Sequence, residues 1–152
     1  LSEMRLMLDV LRVDDDEHDA TPPQPGMGRL DDLLAQLRAA GLRIDAEVSG
    51  EPVTLATGLD VSAYRIVQEA LTNVAQHGAG ASAVLRVDYG PGSLRIDVAD
   101  DGPAVGPVTP GHGLTGMAER AHLFDGVLDW GPRDGGGFRV VAELPYRAMA
   151  ER

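Results

Sequence analysis

Between Tyr64 and His77 the chain reads Tyr64-Arg-Ile-Val-Gln-Glu-Ala-Leu-Thr-Asn-Val-Ala-Gln-His77, and this stretch restricts the possible folds more than any other. At about 100° per residue, Ala63, Ile66, Val67, Ala70, Leu71 and Val74 share one apolar face of a helix, while Glu69, Asn73, Gln76 and His77 follow one another along its flank. Such a helix must lay its stripe on a core, which holds the flank at the core's rim. The flank offers a carboxylate, a carboxamide and an imidazole in successive turns. That mixture suits a hard cation whose other ligands come from elsewhere, and magnesium on a phosphate fits it. Taken alone, the helix reads first as an ordinary amphipathic element with a wet flank; only the downstream sequence shifts that reading.

With 152 residues, 43% of them hydrophobic, the chain can bury one good core and does not demand a second domain. A formal net charge of −11 argues against nucleic acid as a partner, because no basic stripe exists to neutralise a run of phosphates. A small anion neutralised by a metal is still compatible with local binding. The absence of Cys excludes disulfides, zinc-thiolate sites and a cysteine nucleophile. There is no Lys either, so all 13 basic residues are Arg, and a P-loop lysine, a kinase strand lysine and Schiff-base chemistry are all excluded. No apolar run reaches membrane-spanning length.

In chain order, residues 1–12 place Leu1, Met4, Leu8 and Leu11 at helical spacing. They are either the last turns of a longer helix or a frayed cloning remnant. Residues 13–27 hold clustered acids and prolines and read as a linker, with His18 as a solvated spacer residue. Leu30, Leu33, Leu34, Leu37 and Ala40 predict a helix stopped by Gly41, and 42–48 alternates as a half-buried strand turning at Ser49-Gly50. Thr57 and Asp60 form a Thr-x-x-Asp capping signature ahead of the long helix, which Gly78 and Gly80 end. Val84–Tyr89 and Leu94–Ala99 flank Gly90-Pro-Gly-Ser93 as a hairpin. Asp100-Asp101-Gly102 then opens a glycine- and proline-rich loop through 113, long enough to be functional or disordered. A helix from about Leu114 to Phe124 and a second hairpin, Val127–Trp130 with Phe138–Leu144, complete the pattern.

Gly111-His-Gly113-Leu-Thr-Gly116 matches the dinucleotide-binding pattern G-x-G-x-x-G in letters but not in context. A Rossmann turn follows a buried parallel strand, whereas Gly106-Pro-Val-Thr-Pro110 precedes this motif. The local physics survives that objection. Glycines let backbone amides approach an anion, and the next helix supplies unpaired N–H groups and a positive dipole end.

Glu69-x-x-x-Asn73, Asp100-x-Gly102 and Gly111-x-Gly113-x-x-Gly116 together resemble the N, G1 and G2 boxes of the ATP-binding domain shared by sensor histidine kinases, type II topoisomerases, the heat-shock chaperone and mismatch-repair ATPases. The wording of Tyr64–Asn73, of Gly111-His-Gly-Leu-Thr-Gly-Met-Ala-Glu-Arg-Ala121, and of Gly135-Gly-Gly-Phe138 with Leu144-Pro145 is similar to the nitrate-sensor and lipid-fluidity-sensor subgroup of two-component histidine kinases. The resemblance spans about residues 28–146. It implies an α+β fold of the Bergerat type: a two-layer α/β sandwich whose mixed, mostly antiparallel sheet is covered on one face by three helices. Residues 1–12 would then be the end of a dimerisation helix, 13–27 the linker, 28–146 the ATP-binding kinase domain and 147–152 a tail.

The resemblance also implies roles. Asn73 would bind the Mg²⁺ that bridges the phosphates of ATP, and Glu69 would be the catalytic carboxylate, orienting a metal-bound water or the attacking group. Asp100 would accept the adenine amino group, with Gly102 letting the base approach. Gly111, Gly113, Leu114 and Gly116 would close over the phosphates as a lid, and Gln76 and His77 would edge the phosphate site. Three positions depart from the family pattern: Gln76 stands where relatives carry Lys or Arg, Ala104 where a second glycine belongs, and Phe138 where Thr is common. Loss of a cation beside the terminal phosphate weakens transition-state stabilisation unless Arg65 or Arg120 reaches in.

The function so implied is transfer of the γ-phosphoryl of Mg-ATP to a histidine on the protein's own dimerisation domain, for relay to a response regulator. The setting would be the cytoplasmic side of a membrane-anchored sensor, with the membrane reached only through segments absent here. Alternatives from the same superfamily are an anti-sigma-factor-type serine kinase and a degenerate domain that binds nucleotide without catalysis.

Overall fold

The computed structural model describes residues 25–77, 82–102 and 112–146. The expectations for residues 1–12, for the linker up to residue 24 with His18, for Gly78 and Gly80, for loop positions 103–111 with Ala104 and Gly111, and for the tail 147–152 lie outside the described residues.

Helix α1, Leu30–Ala39, follows a 3₁₀ turn at Met27–Arg29 and buries Leu30, Leu33, Leu34 and Leu37, the stripe expected from the spacing of its leucines. It stops at Gly41, whose φ of 109° suits glycine. There the Leu42 N–H donates to the Leu37 carbonyl at 3.0 Å, satisfying an end carbonyl of the helix in a Schellman closure. Helix α2, Thr57–His77, is the long element. Its expected capping signature does not form, because the Asp60 N–H already donates to the Ala56 carbonyl at 2.9 Å and Thr57 lies inside the helix. The Asp60 carboxylate instead accepts the Met27 N–H at 2.9 Å. Gly26 sits so close that a Cβ on it would fall 1.9 Å from Asp60 Oδ2. Asp60 thus ties the entry of α1 to α2, and buried Met27 joins the packed unit although its sequence neighbours read as linker.

Five strands form one sheet: β1 Arg43–Gly50, β2 Ser82–Tyr89, β3 Ser93–Asp100, β4 Val127–Pro132 and β5 Phe138–Pro145. Their spatial order is β1-β2-β3-β5-β4. Only the β1–β2 pair is parallel, joined through α2; the other three pairs are antiparallel. The parallel pair requires a long crossover, and the antiparallel β2–β3 pair closes tightly with the Gly90 N–H donating to the Ser93 carbonyl at 2.9 Å. Both predicted hairpins are present. Alternation in β1 buries less than expected: Ile44 is inside, Ala46 is half-buried, and Val48 is 51% exposed. Alternation sets the face a side chain takes, but it does not guarantee that anything covers that face at an edge strand.

Among the described residues three helices lie on one side of the sheet, the third being α3, His112–His122. The core between the layers joins Ala63, Ile66, Val67, Ala70, Leu71 and Val74 of α2 to Leu85 and Val87, Leu94, Ile96 and Val98, and Val140, Ala142 and Leu144 of the central strands. Leu114, Met117 and Ala121 of α3 complete it. The opposite sheet face is charged, and on it Arg139 grips Asp97 with two hydrogen bonds of 3.0 and 2.6 Å. This pair raises the pKa of Arg139, through the hydrogen bond and then the charge of Asp97. No described helix is long and apolar enough to cross a membrane.

Ile96 lies on the middle strand at 1% exposure. Ile96→Ala should therefore cost about 2–5 kcal/mol, whereas Val127→Thr on edge strand β4, 56% exposed, should stay within about 0.5 kcal/mol. Urea unfolding midpoints of the two variants check this.

Candidate nucleotide site

Because the apolar stripe of α2 faces the sheet, Glu69 and Asn73 are turned sideways, and the first turn of α3 meets them there. A Cβ on Gly113 would lie 2.9 Å from Glu69 Oε2 and 3.3 Å from Asn73 Oδ1. The glycine thus leaves a cradle that any larger residue would fill. The sequence pattern predicts that this helix starts at Leu114, but it begins at His112, so Gly113 belongs to its first turn. Packing against α2 overrides the weak helix propensity of the glycines. The first amides of α3 have no intrahelical partner, and the helix dipole adds positive character there.

A cleft of about 550 Å³ opens beside this contact, lined by Glu69, Gly113, Gly116, Glu119, Arg120 and Leu123. Gly116 is also used for its lack of a side chain, since a Cβ there would lie 3.1 Å from Arg120 Nη1. The guanidinium folds back over the glycine and brings a positive charge to the cleft. Glu69 Oε2 and Asn73 Oδ1 are hard oxygen donors. Among the described residues no group of three His, Cys, Asp or Glu side chains could hold a metal ion, so a divalent ion at Asn73 would take its other ligands from phosphate and water.

A second cluster forms where β3 ends. Asp100 is 8% exposed, and its Oδ1 accepts the Gly102 N–H at 2.9 Å. Ser82 fixes the next residue from the β2 side: its N–H donates to Asp101 Oδ1 at 2.7 Å, and its carbonyl accepts the Asp101 N–H at 3.2 Å. From the β5 side, Arg133 Nη1 donates to the Asp100 carbonyl at 2.7 Å. Gly137, at φ 92°, lies so close that a Cβ would fall 2.0 Å from that carbonyl oxygen.

The structure therefore brings Glu69 and Asn73 together with Gly113 and Gly116, and places Asp100 with Gly102 in a separate cluster. Gln76 is partly exposed on the last turn of α2, which His77 ends. The Leu114 side chain is buried in the core, so only its backbone can face a ligand. The sequence pattern gives Arg133 and Ser82 no role, and it marks Gly137 only as part of the Gly135-Gly-Gly-Phe138 wording. The one signal pointing to them is the run of three glycines, Gly135 to Gly137, all of which have positive φ.

The chain is 31% identical over 122 residues to the sensor histidine kinase YxjM of Bacillus subtilis, covering 79% of this chain and 30% of that protein. It is 32% identical over 105 residues to the sensor histidine kinase LnrJ of the same organism, covering 69% and 26%. It thus spans less than a third of the length of these curated relatives. The catalytic domain of histidine kinase ThkA shares the fold, with a TM-score of 0.61 at 14% identity over 79% of this chain and 95% of that one. The family model described as histidine kinase-, DNA gyrase B-, and HSP90-like ATPase matches residues 58–148. With the two-layer fold and the apposed α2 flank and α3 N-terminus in place, the chain belongs to the family of histidine kinase-, DNA gyrase B- and HSP90-like ATPases.

Proposed function

We propose that this chain is the catalytic ATP-binding domain of a sensor histidine kinase, and that it passes the γ-phosphoryl of Mg-ATP to a histidine on a dimerisation domain, for relay to a response regulator. The observation that carries the site assignment is the cradle at Gly113, where an anion-seeking helix N-terminus faces the Glu69 carboxylate and the Asn73 carboxamide across the space of one missing side chain. The likeness to YxjM and LnrJ supports the kinase class. In this reading the α3 amides and Arg120 hold the phosphates. Asn73 Oδ1 would help hold Mg²⁺, which would supply neutralisation of phosphate charge. The Glu69 carboxylate would accept a hydrogen bond from the attacking imidazole, orienting it in line. Asp100 accepts the exocyclic amine of adenine.

Gly113 separates a ligand role from a structural one. Its Cβ would meet the mobile end of a side chain rather than backbone, and alanine in a helix is favoured over glycine by about 0.5–1 kcal/mol. Gly113→Ala should therefore hold or raise the melting temperature while lowering ATP affinity at least about tenfold. Equal affinity by calorimetry would refute the phosphate assignment. Asn73→Ala should lose mainly the Mg²⁺-dependent part of ATP binding; if titrations with Mg²⁺ and with EDTA differ as much as in wild type, the metal ligand lies elsewhere.

The chain should bind ATP but not label itself. Its four histidines are His18, His77, His112 and His122; the first lies in the acidic linker, and the others belong to α2 and α3 of the domain itself. In-line transfer needs an acceptor that can approach the terminal phosphate from outside. Radiolabelled ATP with a separately supplied dimerisation domain should give acid-labile label on that domain. Label on the chain alone would overturn the domain assignment. Label on serine would favour the serine-kinase class, and binding without transfer the degenerate one.

A further inference from the structure

We propose that Arg133 is a positioning residue for adenine selectivity, acting through the backbone of Asp100. The inference rests on the assignment of Asp100 to adenine made above. The β3–β5 ladder has its last register pair at Ala99 and Arg139, so the Asp100 carbonyl lies just past the end of strand pairing on that side. The Arg133 guanidinium takes the place of the missing strand partner, donating to that carbonyl at 2.7 Å. It does so from a loop that is itself clamped. The Arg133 N–H donates to the Gly137 carbonyl at 3.0 Å, and the Gly136 N–H to the Arg133 carbonyl at 3.2 Å. Gly135, Gly136 and Gly137 stand at φ 84°, 119° and 92°, a run that fixes the loop in a shape other residues rarely adopt.

Three contacts fix the surroundings of the Asp100 carboxylate. Ser82 holds Asp101 from one side, Arg133 holds the Asp100 carbonyl from the other, and the Gly102 N–H takes Oδ1. Oδ2 is the oxygen with no hydrogen-bond partner among the described residues, and Arg133 restrains the backbone from which that carboxylate projects. Discrimination between an amino and a keto group on a purine depends on an acceptor held in one orientation, because a buried acceptor that can rotate away avoids the penalty of facing the wrong base. Arg133 is exposed to solvent at the rim and makes its link through backbone, so its contribution should appear in base selectivity more than in stability.

The test measures ATP and GTP affinities by calorimetry for wild type, Arg133→Ala, Arg133→Lys, Asp100→Asn and the double variant Arg133→Ala/Asp100→Asn. The ratio of the two affinities cancels the general loss of a positive charge, since both nucleotides carry the same triphosphate. Arg133→Ala should lower the ATP-over-GTP ratio roughly fivefold with little change in melting temperature, and Arg133→Lys, which keeps a cationic donor, should recover part of it. Adding Arg133→Ala to Asp100→Asn should change the ratio no further. An unchanged ratio in Arg133→Ala, with selectivity lost in Asp100→Asn, overturns this inference and leaves the adenine assignment standing. Full selectivity in Asp100→Asn removes that assignment and the inference together. Should Arg133→Ala fail to fold, Arg133→Gln replaces it: a reduced ratio supports the role and a wild-type ratio refutes it.

Discussion

The packing of α2 on the sheet is the contact from which the rest of the site follows. Ile66, Val67 and Leu71 are completely buried against strands whose inward residues are equally enclosed. Interiors packed to this density admit little rotation of a helix about its axis. Once the stripe is fixed, Glu69 and Asn73 have only one direction in which to point, and α3 brings Gly113 to that place. The polar edge costs the core nothing, because it lies at the rim.

Glycine serves the two halves of the site in different ways. At Gly113 the neighbouring atoms are side-chain ends that can move, and the backbone is helical, so the missing Cβ lets the α3 N-terminus approach the α2 flank closely. At Gly137 the neighbour is the Asp100 carbonyl and φ is positive, so the missing Cβ is a condition of the fold. The first glycine can accept a Cβ if side-chain ends shift, and the second only at the expense of structure. The two clusters, on α2 with α3 and at the end of β3, flank opposite ends of the glycine- and proline-rich segment between Gly102 and His112, which makes that segment their covalent link.

Much of this is legible in the sequence because it is local. The α2 stripe, the Leu30–Leu37 face and the two hairpins are periodic patterns within short windows, and all of them form. The four-residue spacing of Glu69 and Asn73 is enough by itself to put them on one flank. What the sequence does not reveal depends on distant partners. Asp60 has the spacing of a capping box, yet its carboxylate serves Met27, 33 residues away. Val48 continues a perfect alternation but meets nothing that covers it. Arg133 is an ordinary loop residue until register places it beside Asp100, again 33 residues distant. Periodicity reports the face of an element, and only topology reports what lies opposite.

If one nucleotide bridges the α2–α3 cradle and the end of β3, both clusters fill together. Amide and side-chain carboxamide chemical shifts, followed by NMR while a non-hydrolysable ATP analogue is titrated in with Mg²⁺, test it directly. Gly113, Gly116 and the Asn73 carboxamide should shift together with Gly102 and Asp100, all saturating along one binding curve. Shifts confined to the charged sheet face around Asp97 and Arg139, or a response from only one of the two clusters, would contradict it.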